Sequence, residues 1–491
     1  MEHDQFLFVN VHSPQWLLYV SVLLIAVFFR FSRLMTVRNL DLVLMLSLST
    51  ALVVSAASRT LDAVDARLSQ PILQNDHASE SMVADSDVSS VEILNPLHRW
   101  SSILVLALSA LVILRLMFDE SLTRRPRLEQ NLNQAGLTFL LIPAFCILMM
   151  GVFLKEPPRR NLAAVESGVA LLQQKESAPR DAERPQPPTP TETIVAATVT
   201  KVAELSGRVD KSQVQSDQEQ SPMEALIARI LVVLAHTTVV LGLLFIGRRH
   251  FCSVQLGVSM CVLYLLLPCT AYNVHELSHV VPGACLTWAF ASYRRPAVAG
   301  ILLGLACGTL FFAVFLLPLW AVFYGRKGSL RFGLSLGAVA GLVLLTLALT
   351  SESTDSFISK LVMAANWTAY RLFDAASPMP RTAIGHVFLR TTLAALFFVM
   401  LVAMTVIPRK RNLENLLANS TALIVAAQLW YPEDVGSYVL WYLPLLLLVV
   451  FRPRLDRFVP PEDFETPAAS RLPEQHAQQS SGTLSRMTLY N

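Results

Sequence analysis

The residues best able to do chemistry in this chain sit in three short strings. The first is His275-Glu276-Leu277-Ser278-His279. On a helix, residues four apart share a face, so the two imidazoles would hold a zinc ion while the glutamate between them activates water. No third ligand is evident, and Pro282 and Gly283 follow where a zinc-binding helix would continue. The same string also reads as the polar mouth of a helix, with His275 and Glu276 facing a substrate and no metal or other cofactor held. The second string runs from Thr60 to Leu68 and carries Asp62 and Asp65, three apart and on one face if the stretch is helical. A carboxylate so placed can take the proton of an acceptor hydroxyl, or it can be part of a solvated acidic loop. The third is Arg371, Asp374 and Arg381. Arginine forks suit a phosphate headgroup, and an ion pair within a loop is the plainer reading.

What must position these residues is a membrane bundle. The chain has 491 residues, 53% of them hydrophobic and 15% charged. A water-soluble chain carries about 25% charged residues, so this one lacks the polar surface to cover itself. The net charge of +3 gives no argument for nucleic acid. The six cysteines fall in or beside apolar blocks without a CxxC, as small hydrophobes do. Apolar runs of spanning or near-spanning length fall at 15–29, 40–57, 100–118, 134–153, 224–246, 251–271, 279–293, 297–323, 332–350, 387–407, 413–430 and 436–451. The first follows an acidic, polar leader without a small-residue cleavage site, so it reads as a retained helix. Trp16, Tyr19, Trp100, Trp430, Tyr431, Trp441 and Tyr442 lie near span ends and read as interfacial anchors.

Arginine clusters set the expected orientation. Arg30/Arg33/Arg38, Arg124/Arg125/Arg127, Arg248/Arg249, Arg294/Arg295, Arg409/Lys410/Arg411 and Arg452/Arg454/Arg457 all fall in the cytoplasm if the N-terminus is outside and the C-terminus inside. Segment 297–323 breaks the alternation, with Arg294/Arg295 before it and Arg326, Lys327 and Arg331 after it. A re-entrant pair of short helices returning to the same side restores every later loop, provided that protein covers its non-helical backbone. Gly300, Gly304 and Gly308 give one of these helices a smooth packing face, and Pro318 interrupts the second half.

The expected architecture is all-α: a polytopic integral membrane helix bundle of about 11 spans plus one re-entrant pair. Residues 1–154 form N-terminal membrane helices with an acidic outer loop at 59–98, and 223–459 a C-terminal membrane bundle. Residues 155–222 begin with an amphipathic stretch, Leu162 to Gln174, and then turn rich in Pro, Glu, Gln, Lys and Ser. That composition reads as a largely disordered extramembrane loop, and 460–491 as a disordered cytoplasmic tail. The loop 351–386 has an apolar stretch of its own around Phe357–Met363.

From Tyr272 to Arg331 the chain carries a longer pattern: Arg294, Arg295, Pro296, then Ala299, Gly300, Leu302, Gly304, Leu305 and Ala306, then Phe312, Leu317 and Pro318, then Arg326 and Lys327. This resembles the C superfamily of polyprenol-phosphate-sugar-dependent glycosyltransferases, particularly the mannosyltransferase-like family 87. The resemblance implies transfer of a hexose from a polyprenyl-phosphate sugar donor to an acceptor at the outer face of a bacterial inner (cytoplasmic) membrane. It also implies an outer-loop carboxylate as base, a place taken here by Asp62 and Asp65. Arg371, Arg381, His275 and Glu276 stand beside it as substrate-binding candidates on their own chemistry. The acidic loop follows the second span here, where the family has it after the first. Two other function classes stand beside this one: an intramembrane zinc peptidase using residues 275–279, and a non-catalytic transporter or scaffold. Mid-span ionisable residues, expected of a transporter, are nearly absent, with Arg115 near a span end.

Overall fold

A computed structural model describes residues 14–68, 96–119, 130–173, 188–205, 222–309, 311–351, 353–364, 385–407, 411–430, 438–453 and 459–461. Among these the chain is helical with no strand. In order the helices are α1 (Pro14–Phe28), α2 (Val37–Leu68), α3 (Pro96–Met117), α4 (Gln134–Leu154), α5 (Arg159–Gln173), α6 (Pro190–Leu205), α7 (Pro222–Arg249), α8 (Val254–Leu266), α9 (Pro268–Tyr272), α10 (Leu277–Ala291), α11 (Pro296–Cys307), α12 (Leu317–Leu349), α13 (Thr354–Ala364), α14 (Gly385–Val406), α15 (Leu413–Trp430) and α16 (Val439–Phe451). Six of them start on proline, which lacks the N–H that a first helical residue cannot use and already holds a helical φ. Asn133, Ser253 and Asn412 cap α4, α8 and α15 by accepting from the N–H three residues on.

Six helical stretches are long and apolar enough to cross a membrane, and five shorter apolar helices stand among them. This is a multi-pass membrane protein. Its perimeter is as apolar as its core. Phe139 on α4, Leu334 on α12 and Leu396 and Val399 on α14 are 76%, 67%, 63% and 65% exposed. Such a surface fits lipid and not water. At the centre α15 is buried along nearly its whole length, polar residues included, and α16 almost as completely. Trp430, Trp441 and Tyr442 belong to this core, at 2% or less exposed, whereas Tyr19 and Trp100 face outward as interfacial anchors do. The first three lie near span ends in sequence, but their helices are ringed by others, so their rings pack against protein.

Hydrogen bonds sort the helix ends. At one end, the Arg38 guanidinium donates to the Phe28 carbonyl at 2.6 Å, and Asn131 donates to the carbonyls of Ala26 and Phe29. There Arg115 grips Asp41 with two bonds of 2.7 and 2.9 Å and reaches Asp119 at 2.8 Å. Arg452 pairs with Asp119 and, at 2.6 Å, with Glu414. The starts of α2 and α15 and the finishes of α3 and α16 are thereby tied into one buried ionic lattice. We call this the basic end. At the other end, Arg229 donates to the Lys155 carbonyl, Arg390 to that of Trp430, and Gln428 to that of Tyr438.

The segment from α11 to α12 reverses twice. Along α11, Gly300 packs on Phe332 and Ser335, Gly304 on Val339, and Gly308 close to Val343, so α11 runs parallel to the later limb of α12. A 3-10 turn at Phe311–Leu316 leads into the first limb of α12, which Pro318 opens. That limb descends to Tyr324, whose hydroxyl donates to the Tyr293 carbonyl at 2.8 Å. Gly325 then takes φ 68°, ψ −169°, a conformation essentially reserved for glycine, and the chain turns back. Tyr293 before α11 and Tyr324 after it therefore lie side by side at the basic end.

Three expectations need correction. Residues 155–222 contain two packed helices, α5 and α6, where composition suggested disorder beyond 174. The run 251–271 is two helices, α8 and α9, broken at Leu267 before Pro268. The apolar stretch in 351–386 is a separate short helix, α13.

Candidate functional site

Away from the basic end, five elements converge on the turn between α9 and α10. The helix α10 starts at Leu277, with Glu276 as its N-cap and His275 in the preceding turn. His275 and His279 are therefore not stacked one helical turn apart, and the zinc-helix reading loses its geometric basis. The break is local: the turn of residues 273–275 is held by side chains from elsewhere. His236, buried on α7, lies 3.1 Å from the Val274 carbonyl through Nε2 and 3.0 Å from the Tyr264 hydroxyl through Nδ1. A carbonyl only accepts, so Nε2 carries the proton and the tyrosine hydroxyl donates to Nδ1. Asn161 on α5 donates to the His275 carbonyl at 2.7 Å. Among the described residues no group of three His, Cys, Asp or Glu side chains is arranged to hold a metal.

The α5/α6 pair supplies the charge. Thr189 and Glu192 form a reciprocal capping box, the Glu192 carboxylate accepting from the Thr189 N–H at 2.8 Å while the Glu192 N–H reaches the threonine hydroxyl at 3.4 Å. Arg160 lies opposite Glu192, and Gly168 lies against Ala196 and Ala197, so α5 and α6 run parallel. Both first turns point into the protein. Thr191 donates its hydroxyl to the Leu305 carbonyl at 2.8 Å and its N–H to the Gly308 carbonyl at 3.3 Å, at the tip of α11. With 12 residues α11 is about 18 Å long, a little over half of a hydrocarbon core of about 30 Å. The first turn of α6 therefore dips into a recess between α7, α10 and α12.

In that recess Glu192 is 1% exposed, its carboxylate 3.8 Å from the Arg160 guanidinium. Glu276 is partly buried beside them. Burial raises its carboxyl above the ordinary 4.5, Arg160 pulls it back, and Glu192 pushes it further up. Beside one arginine and a second carboxylate, the Glu276 carboxyl thus holds its proton more tightly than a solvated carboxyl does. The His279 ring lies 5.0 Å from that of Tyr438, which meets Phe312 at 5.4 Å, giving the recess an aromatic flank.

Glu276 and the His275 backbone thus lie at this recess. Asp62 and Asp65 lie on the last turns of α2, where the backbone is helical as their shared face requires; their side chains lie outside the described residues. Arg371, Asp374 and Arg381 also lie outside them. Sequence reasoning missed Arg160, Asn161, Glu192 and His236. The string Thr189-Pro190-Thr191-Glu192 is a capping signature with proline at N1, and it marks the start of α6. No family model, curated protein or solved structure matches this chain, so its function has to be argued from this recess.

Proposed function

We propose that the protein is a lipid-linked-sugar glycosyltransferase, moving a hexose from a polyprenyl phosphate to an acceptor at the outer face of a bacterial inner membrane. The observation that carries this reading is the Glu276 carboxyl, raised by burial and set beside Arg160 and Glu192 in a recess away from the basic end. The acceptor hydroxyl oxygen attacks the anomeric carbon, the bond from that carbon to the phosphate oxygen breaks, and the phosphate leaves with the electron pair. Glu276 takes the hydroxyl proton, and Arg160 suits the developing phosphate charge. Asp62 and Asp65, beyond the apolar part of α2, are the alternative carboxylates.

Two features support the orientation. Among the described residues, the arginines of these clusters gather at the basic end, as a cytoplasmic side requires, with the N-terminus outside. The Tyr324–Tyr293 bond and the Gly325 reversal fit a re-entrant pair made of α11 and the first limb of α12. The remaining apolar elements then make about eleven crossings.

The test is transfer of radiolabelled sugar from polyprenyl phosphate to membrane acceptors. Glu276→Gln keeps shape and removes the base, so a loss of roughly 10²–10⁴-fold at unchanged abundance is expected. Full activity in that variant with loss in Asp62→Asn or Asp65→Asn moves the base to α2. No transfer by the wild type from any polyprenyl-phosphate sugar overturns the enzyme reading in favour of a non-catalytic transporter or scaffold.

A further inference from the structure

A second feature lies near the basic end and is independent of the recess. Between the first limb of α12, the last turn of α14 and the first turns of α15 is a cavity of about 210 Å³. A water molecule's share of volume is about 30 Å³, so this space is several waters wide and well beyond an ordinary packing void. Its lining is sharply divided. One strip is polar: Arg411, then Asn412, Asn415 and Asn419, about one helical turn apart along α15. Apart from Thr405, whose hydroxyl donates to the Leu401 carbonyl, the rest is apolar, and Val322, Val406 and Ile407 on its rim are 41%, 71% and 55% exposed.

Each property narrows the occupant. The lining holds an arginine and three carboxamides and no carboxylate, which favours an anion with several acceptor oxygens. The exposed apolar rim opens toward hydrocarbon, so the occupant arrives from the bilayer and carries chains that belong there. The length of the strip decides between an anion at the headgroup and one that reaches deeper. Residues 412 to 419 span roughly 10 Å of helix rise. The interfacial layer on each side of a bilayer is about 5–8 Å thick, so the strip runs from the headgroup level to just inside the hydrocarbon. A glycerophospholipid places its phosphate and then its ester carbonyls over this interval. Basic pockets between transmembrane helices bind anionic lipid headgroups on the same principle.

We propose that this cavity is a binding site for one anionic glycerophospholipid, its phosphate on Arg411 and its ester carbonyls on the Asn415 and Asn419 amides. The test uses the full-length protein, stripped in mild detergent and then titrated with phosphatidylglycerol or with phosphatidylcholine. Bound lipid is counted by native mass spectrometry, and lipid-induced protection against heat is followed in parallel. One phosphatidylglycerol per chain is expected to survive, with phosphatidylcholine lost. Arg411→Gln, at an exposed position, and Asn415→Leu/Asn419→Leu should each weaken retention about tenfold or more. Ile407→Trp, which fills the rim without touching a polar group, should block retention too, and it stands as evidence if the double variant does not fold. Equal retention of the two lipids, or phosphatidylglycerol held as well by Arg411→Gln and Ile407→Trp as by the wild type, overturns the proposal.

Discussion

The two buried charge clusters of this protein are built differently. At the basic end, Asp41, Arg115, Asp119, Arg452 and Glu414 are joined by short charge-assisted bonds, and Arg115 meets Asp41 through a two-point fork. In the recess, Arg160 stands 3.8 Å from Glu192, and the Glu276 carboxyl is raised. The first arrangement spends its charges on one another and ties four helices together. The second leaves a carboxyl that burial makes costlier to ionise than one in water. Tight pairing is the mark of a structural lattice, and a strained proton balance is the mark of a site that acts.

That contrast can be broken or sharpened by substitution, with unfolding in detergent as the common measure. The largest effect belongs to Arg452→Met, which leaves Asp119 and Glu414 without their shared cation in a fully buried place. Breaking such a pair costs about 3–5 kcal/mol, so the folded yield should collapse. A mild effect there would mean the lattice is dispensable. In the recess, Arg160→Met is expected to cost less, about 1–3 kcal/mol, because its contact with Glu192 is longer, at 3.8 Å, and the Arg160 side chain is 20% exposed. Loss as severe as that of Arg452→Met would place the two clusters in one class. Thr189→Ala, which removes one half of the capping box, should cost about 1 kcal/mol and loosen α6 alone, seen as faster hydrogen exchange at the start of that helix. The smallest effect is a slope with pH. Because the folded-state value for Glu276 lies above the ordinary 4.5, the folded protein binds more protons than the unfolded chain above that pH. Its stabilising share is complete below 4.5 and declines as pH rises through the raised value. Glu276→Gln should therefore gain stability relative to wild type as pH rises from 4.5, and a constant difference across pH would show that the carboxyl is not perturbed.

The membrane bundle could be read from the sequence because its signals are local. Hydrophobic run length located the apolar helices, and the four-residue spacing of Gly300, Gly304 and Gly308 marked the face that meets α12. The recess was only half visible. His275 and Glu276 stood out through their spacing, but that spacing implied a helix that the His236 and Asn161 contacts replace with a turn. Arg160 and Glu192 are brought to Glu276 by tertiary packing across more than eighty residues, which no periodicity reports. The polar composition around α6 also hid its apolar face, since Ala196 and Ala197 are too small to weigh against neighbouring prolines and glutamates. The basic-end lattice was hidden for a related reason: Asp41, Asp119 and Glu414 are brought together only by tertiary packing.

The burial of α15 bears on how the chain gets into the bilayer. This helix carries Glu414, Asn415, Asn419 and Gln428 and is not among the six stretches apolar enough to span by composition. Alone in lipid it would be a poor inserter, since each such residue is costly at depth. Its neighbours in sequence are apolar, and α14 presents Leu396, Val399 and Val402 outward while α16 wraps it from the other side. The three must therefore partition as a unit, with α15 released into protein and never into bare lipid. An enclosed helix with these four polar side chains thus depends for its membrane residence on when its neighbours are made.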